Sequence, residues 1–547
     1  MRGAIVLAGA LALGVSCAGD SVAPPPPPPP SIELGCTAVR EVALAAGRSI
    51  LLDANLPESC VRLPFAAGSE EYLLAVFSAA PDLADDGVSA SFQLRSAGPA
   101  PAALHQAPIV GAGPSHRAEP TRDLHDWLRA GERSIAGRVR HRPPAAAAPG
   151  LAPPVREFGV CANLTCSEVA MVPATAVYQG SRVVVYLEDN PPPDGFSAAD
   201  LTRLGVLFDN YLVPADTSAF GSPSDVDGNG VIYLVITSQV NRLCFDAGGL
   251  VSGYFYGRDL IPEEPGSNGA EVFFAFAPDP TGVAGCRVTA QFVERTIPGT
   301  FVHEFQHMIS FGQHVLQRGG PPEETWLNEG LSHLAEELAG RRVPDDFCTA
   351  NDCFSQFSFN DVSNAYRYLE APESFFLVYP IGSSGRLAER GASFLLVRWL
   401  RDHFGSGDDL TRRLLATTSV GAANVAAAAG QPWDELLGLW HLANYLDDLP
   451  GFAPGDPKLA YSSWNWRVTF PSLRAQYPGL YSRSFPTAPD SVGPGFDYSG
   501  TLRGGSGRYF RAGRPAGGSV LDLRLGSPGG GALPTAIHGR LAIARIR

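Results

Sequence analysis

Two histidines four positions apart, with a glutamate directly after the first, occur in Phe301-Val302-His303-Glu304-Phe305-Gln306-His307-Met308-Ile309. On a helix, positions i and i+4 share a face, so both imidazoles can hold one metal ion. The apolar residues Phe301, Val302, Phe305, Met308 and Ile309 recur at helical spacing and predict a helix buried over most of its surface. Imidazole nitrogen suits zinc, and a catalytic zinc keeps three protein ligands and one open position. Glu304 sits about 100° round the helix from His303, where its carboxylate can act on a water at that open position. A Gly/Pro break, Arg318-Gly319-Gly320-Pro321-Pro322, separates this helix from a second helical pattern that begins at Glu323. An antiparallel return of that second helix brings Glu329, 22 positions after His307, to the same ion.

His303-Glu304-Phe305-Gln306-His307 followed by Trp326-Leu327-Asn328-Glu329-Gly330 resembles the gluzincin metallopeptidases, most nearly the hyicolysin-like bacterial peptidases. The second segment is also similar to the corresponding one of the zinc aminopeptidases. The likeness is sharp over 300–340 and thinner over about 160–450. It implies a zinc cofactor held by His303, His307 and Glu329, with Glu304 as general base, and protein or peptide substrates. Zinc lowers the pKa of its bound water from roughly 16 to about 7 and polarises the scissile carbonyl. Glu304 then takes the water proton and returns it to the leaving amine. Endopeptidase action is expected, since no Gly-x-Met-Glu-Asn-type exopeptidase signature is present.

Where thermolysin-like enzymes place an Asp that orients a zinc-bound His, four residues after the ligand Glu, this chain has His333. His333 is expected beside the metal site or in packing, with ligation of zinc in place of Glu329 as the lesser alternative. The metzincin pattern fails, because it needs Gly and His where Ser310 and Gln313 stand, and this leaves His314 out of register. Tyr366, Tyr368 and Tyr379 are the candidates for stabilising an oxyanion. The extended run 270–276 is either the sheet edge that pairs with substrate or a buried strand. A reading from another class is a surface-anchored binding lipoprotein whose metal is structural. Glu304 weighs against it, since a purely structural site needs no base.

These residues need a scaffold, and 547 residues are too many for one core. The expected fold is multidomain α+β: a gluzincin-type catalytic domain, with a mixed sheet, active-site helices and then a helical subdomain, flanked by small β-domains. Arg2 and an apolar run over 4–15 form an export signal, ending in Gly14-Val15-Ser16-Cys17, which resembles a lipobox. The segments are then 1–17 signal and lipidation Cys, 18–30 Pro-rich spacer, and 31–97 a β-sandwich-like domain. Residues 98–155 form a linker or propeptide-like connector with one Arg-rich helix over 121–136. The zinc peptidase domain is 156–450, with strands at 181–187, 231–237 and 270–277 and a helix over 197–212. The remainder, 451–547, is a Gly/Pro-rich β region. With Gly 60 and Pro 48, about a fifth of the chain favours turns and linkers.

Apart from Cys17, the cysteines are 36, 60, 161, 166, 244, 286, 348 and 353. An even number in an exported chain predicts disulfides, and neighbour pairing gives 36–60, 161–166, 244–286 and 348–353. Asp225-Val226-Asp227-Gly228-Asn229-Gly230 is like the opening of a calcium loop, with Asp225, Asp227 and Asn229 as ligands. Position twelve is Ile236 rather than Glu, which favours a plain turn into strand 231–237. Forty-one basic against 55 acidic residues give a net charge of −14, which excludes nucleic acid as a partner. The membrane is a partner only through the lipid anchor. The chain is expected to be a cell-envelope lipoprotein or otherwise secreted.

Overall fold

The computed structural model describes residues 31–54, 59–99, 105–106, 120–139, 152–244, 249–513 and 518–547. The signal, the lipobox-like Cys17 and the proline spacer lie outside the described residues. No helix among those described is long and apolar enough to cross a membrane.

The central region is built on a six-stranded mixed sheet. Its order is Gly253–Tyr254, Val272–Phe276, Ile232–Thr237, Val183–Glu188, Val169–Gln179, Val155–Cys161. The three strands Val183–Glu188, Ile232–Thr237 and Val272–Phe276 run parallel to one another. They read as continuous apolar runs because both faces are covered, as parallel strands require. The run 270–276 is therefore a buried interior strand, not an edge. The edge is the short strand Gly253–Tyr254, which pairs antiparallel with it.

A 22-residue helix, Ala290–Phe311, packs across this sheet; we call it the motif helix. Thr289 caps its start by accepting a hydrogen bond from Phe292 N at 3.2 Å. Phe301 stacks on Phe305 and meets Phe273 of the interior strand edge-to-face. All five of its predicted apolar residues are fully buried. The chain turns and comes back as the helix Thr325–Gly340, the return helix. Trp326 anchors its first turn, donating from Nε1 to Glu324 Oε2 at 2.7 Å and packing on Trp433. The helices Phe359–Glu370 and Leu387–His403 support it from behind. Gly330 lets Leu387–His403 close in: a Cβ there would stand 2.9 Å from the Ser393 carbonyl oxygen.

The sequence divides the flanking strands between 31–97 and 451–547, but the structure pairs them in one two-sheet sandwich. One sheet has the order Asp490–Val492, Gly507–Gly513, Glu71–Ser78, Gly539–Arg545, Ser49–Asp53. The other has Ala38–Glu41, Ser59–Pro64, Val520–Gly526, Ser89–Ser96, Asp497–Arg503, His105–Gln106. The physical reason lies in Glu71–Ser78, which is buried along nearly its whole length and needs a neighbour on each edge. The N-terminal segment supplies neither, and the C-terminal strands supply both. The rest of the C-terminal segment includes a helix, Trp466–Gln476, that joins the helical core instead. Phe77 of the sandwich packs against His441 of the helix Trp433–Leu446, with ring centroids 4.7 Å apart. All four predicted disulfides form, with Cα separations of 4.7 to 5.9 Å.

Candidate metal centre

The motif helix and the return helix bring His303, His307 and Glu329 together. His303 Nε2 lies 3.4 Å from Glu329 Oε2, and His307 Nε2 lies 3.5 Å from Glu329 Oε1. The rings of His303 and His307 stand 4.9 Å apart, centroid to centroid. A tetrahedral zinc site with bonds of about 2.0–2.1 Å sets its ligand atoms about 3.3–3.4 Å apart. The observed separations match that edge. His303 Nε2 and both Glu329 oxygens are buried without a hydrogen-bond partner. Such orphans are costly unless something else satisfies them, and an ion does so. The donor set of two imidazoles and one carboxylate fits zinc.

Electrostatics agree. Burial disfavours charge on His303, yet the carboxylates of Glu329 and Glu336 outweigh it and raise its pKa to about 10. The pocket thus favours positive charge at this point. Burial and the Arg129 charge bring His307 down to about 4, so this imidazole is neutral, as coordination to a metal would require. Burial would raise Glu329, but Arg390 and the two imidazoles hold it well below the usual carboxylate range. The Arg390 guanidinium, from Leu387–His403, stands 3.4 Å from Glu329 Oε2.

Glu304 is arranged differently from the three. Its Oε2 accepts a hydrogen bond from Phe255 N at 3.1 Å, and its Oε1 faces His125 Nε2 at 3.1 Å. Burial opposes its ionisation, but His125 and the two motif histidines keep it strongly depressed and charged. Its ligand atom also lies within 4.8 Å of those of His303 and His307, so this carboxylate borders the same centre.

Two residues at the site were not anticipated from sequence. Glu336 Oε1 lies 2.9 Å from His303 Nδ1 and 3.0 Å from His333 Nδ1. It fixes the His303 ring, the task that the missing Asp performs in the related pattern. Its signal was available: Glu336 follows Glu329 by seven positions, two turns along one face. His333 is not turned to Glu329; its Nδ1 faces Glu336 and Asp361, at 2.8 Å from the latter. Those two carboxylates overcome burial and raise it to about 9, while burial and Glu336 raise Asp361 to about 7. The second residue is His125, from the upstream helix Pro120–Ala136. Nothing in its neighbourhood in the sequence marks it.

The other candidates are placed as follows. Tyr366 OH is bonded to the backbone of Arg483, and Tyr379 OH lies 2.8 Å from Ser393 Oγ. Tyr368 is buried with its ring stacked on Trp440. Burial raises Tyr379 well above its ordinary value, and the Glu329 charge adds to this. His314 is buried 3.7 Å from Glu323. In the Asp/Asn loop, Asp225 accepts from Gly230 N, Asn229 Oδ1 from Val231 N, and Asp227 from Asn229 and Tyr233 OH. These bonds make the turn into strand Ile232–Thr237. Asp225 and Asp227 also cluster with Glu271, their ligand atoms within 4.8 Å of one another.

No protein-family model matches the chain. Over 192 residues the chain is 30% identical to Neutral metalloprotease ShpI of Staphylococcus hyicus, across 34% of this chain and 40% of that protein. The chain therefore spans well under two thirds of that relative's length. Among solved structures it is similar to an M1 zinc metallopeptidase from Deinococcus radiodurans, at 15% identity over 52% of this chain and 51% of that one. The TM-score of 0.24 is too low to carry an argument.

Proposed function

We propose that the chain is an exported zinc-dependent peptidase, acting as an endopeptidase, with His303, His307 and Glu329 as ligands and Glu304 as general base. The observation that carries this reading is the division of labour at one buried site. Each motif imidazole lies 3.4–3.5 Å from a Glu329 oxygen, while a fourth group beside them, the Glu304 carboxylate, is held by Phe255 N. A structural site has no use for that fourth group. The likeness to a neutral metalloprotease over part of the chain supports the same class.

Bound zinc would supply a water acidic enough to ionise near neutral pH and would polarise the scissile carbonyl. The chain's own residues do the rest. Phe255 N holds Glu304 Oε2, so Oε1 is the oxygen that takes the proton from the attacking water and passes it to the leaving amine. Glu336 locks the His303 ring, and Ser332 Oγ, 3.1 Å from His307 Nδ1, steadies the second. Arg390 keeps Glu329 ionised. The edge strand Gly253–Tyr254 continues into Phe255, so a substrate strand added there lies next to Glu304.

The lipobox-like Cys17 and the four disulfides support an exported, lipid-anchored location. Calcium has no part in this reading.

Glu304→Gln tests it. Gln keeps the shape and can still accept from Phe255 N, so zinc content and melting temperature should stay near wild type. Peptide hydrolysis should fall by roughly 10²–10⁴-fold, the usual cost of losing a general base. His307→Ala should lose the metal as well. Wild-type hydrolysis by Glu304→Gln, or loss of zinc as complete as in His307→Ala, would overturn the assignment.

A further inference from the structure

The helix Pro120–Ala136 belongs to the stretch that reads as a connector, yet it lies over the metal centre. One stripe, Leu124, Leu128 and Ile135, is buried as expected for an amphipathic helix. A second stripe, His125, Arg129 and Glu132, follows i, i+4, i+7 and is also buried, at 4%, 5% and 2% exposure. Trp127 is left 55% exposed. Burying three polar groups costs several kcal/mol unless each finds a partner, so their partners define what the helix is fitted to.

Those partners are the working parts of the site. Arg129 donates to Phe255 O at 2.9 Å and pairs with Glu132 at 3.0 Å. Glu132 Oε1 accepts from Gly257 N at 2.8 Å. Phe255 and Gly257 directly extend the edge strand, and residues two apart in an extended chain present their backbone groups to the same side. Arg129 and Glu132 therefore occupy a carbonyl and an amide of the kind that an added peptide strand would pair with. Asp126 accepts from Ser384 N, which ties the helix to the opposite wall. Beneath it, His303, Glu304, His307 and Glu329 are between 0% and 7% exposed, too closed for a peptide to reach.

His125 goes deepest. Its Nε2 faces Glu304 Oε1, and its ligand atom lies within 4.8 Å of those of both His303 and Glu329. Its ring centroid is 6.2 Å from that of His303. The three ligands of the proposed centre leave one position open, and Glu304 borders it; His125 stands against Glu304 at 3.1 Å.

We infer that His125 is a fourth protein ligand of the same metal, which makes 120–136 an inhibitory segment that holds the peptidase latent until the helix leaves. This rests on the zinc peptidase reading above. In that state the open position is filled by imidazole rather than water, and the sheet edge is paired by side chains rather than by substrate. Glu304 meanwhile has no water to deprotonate.

The test uses the full chain with zinc affinity, measured by chelator competition, and peptide hydrolysis as separate readouts. His125→Ala should weaken zinc binding by roughly tenfold or more, as expected for removal of a ligand, and raise hydrolysis. A Arg129→Ala/Glu132→Gln variant, which frees the edge without touching a ligand, should raise hydrolysis with zinc affinity within about twofold of wild type. A cobalt-substituted wild type should change its visible spectrum on His125→Ala and not on the double variant. If His125→Ala keeps wild-type zinc affinity and spectrum, or lowers hydrolysis, the inference is overturned. If His307→Ala also leaves zinc affinity unchanged, the metal-centre reading itself has failed.

Discussion

Replacing Glu336 with Gln isolates the carboxylate that positions one proposed ligand without touching the proposed ligand set. Glu336 Oε1 serves two imidazoles, His303 Nδ1 at 2.9 Å and His333 Nδ1 at 3.0 Å. His333 also has Asp361 at 2.8 Å, so it keeps a carboxylate after the change. The Nδ1 of His303 depends on Glu336. A hydrogen bond to a charged group contributes about 1.5–3 kcal/mol net, and the neutral amide that replaces it about 0.5–1.5. The difference, about 1–2 kcal/mol, corresponds to roughly 5–30-fold in affinity at 1.4 kcal/mol per decade. That falls within the 10–100-fold range, or just below it, for removing the outer partner of a zinc-bound imidazole. Chelator competition should show zinc affinity down by about that factor, and hydrolysis at saturating zinc should fall far less than in Glu304→Gln. Zinc affinity within twofold of wild type would refute the assigned role of Glu336. Loss as complete as in His307→Ala would refute it too, since it would make Glu336 a ligand.

Two further outcomes follow from groups away from the metal. Burial raises Glu323 to about 8, only partly offset by bonds from Gly421 N and the Asn424 amide. Its pKa is thus higher folded than unfolded, so the folded state holds the proton more tightly. This contribution is intact below about pH 4.5 and is lost as pH rises towards 8. The unfolding free energy from urea titrations should therefore fall across that window, by an amount on the order of a few kcal/mol in total, and Glu323→Gln should flatten the slope; an unchanged slope would contradict the burial argument. For the Asp225–Asn229 loop, whose side chains close their own turn, melting curves in chelated and millimolar calcium should coincide with zinc held constant. A calcium-dependent rise would mean that the ion, not the turn, orders the loop.

What the sequence disclosed was whatever its local period could encode. The 3.6-residue rhythm of 301–309 placed His303 and His307 on one face, and the break at 318–322 implied the return that delivers Glu329. The disulfides were legible because each joins near neighbours, none more than 42 positions apart. Long-range pairing left no such trace: nothing in Glu71–Ser78 announces partners at Gly507–Gly513 and Gly539–Arg545. An apolar run also reads alike at an edge and in the interior, so the sequence left 270–276 open between the two, and the pairing of Val272–Phe276 on both sides decides it. His125 shows the limit most plainly. It lies 178 positions before His303, and periodicity reports which face of a helix is buried but not what lies against it. Only contact geometry shows that the helix at 120–136 buries His125, Arg129 and Glu132 while leaving Trp127 in solvent. For a linker helix that second buried stripe is unfavourable, because three polar groups are desolvated while the Trp127 ring stays hydrated. It is favourable only where the opposite surface offers a carboxylate, a carbonyl and an amide at matching heights, and Glu304, Phe255 and Gly257 offer them.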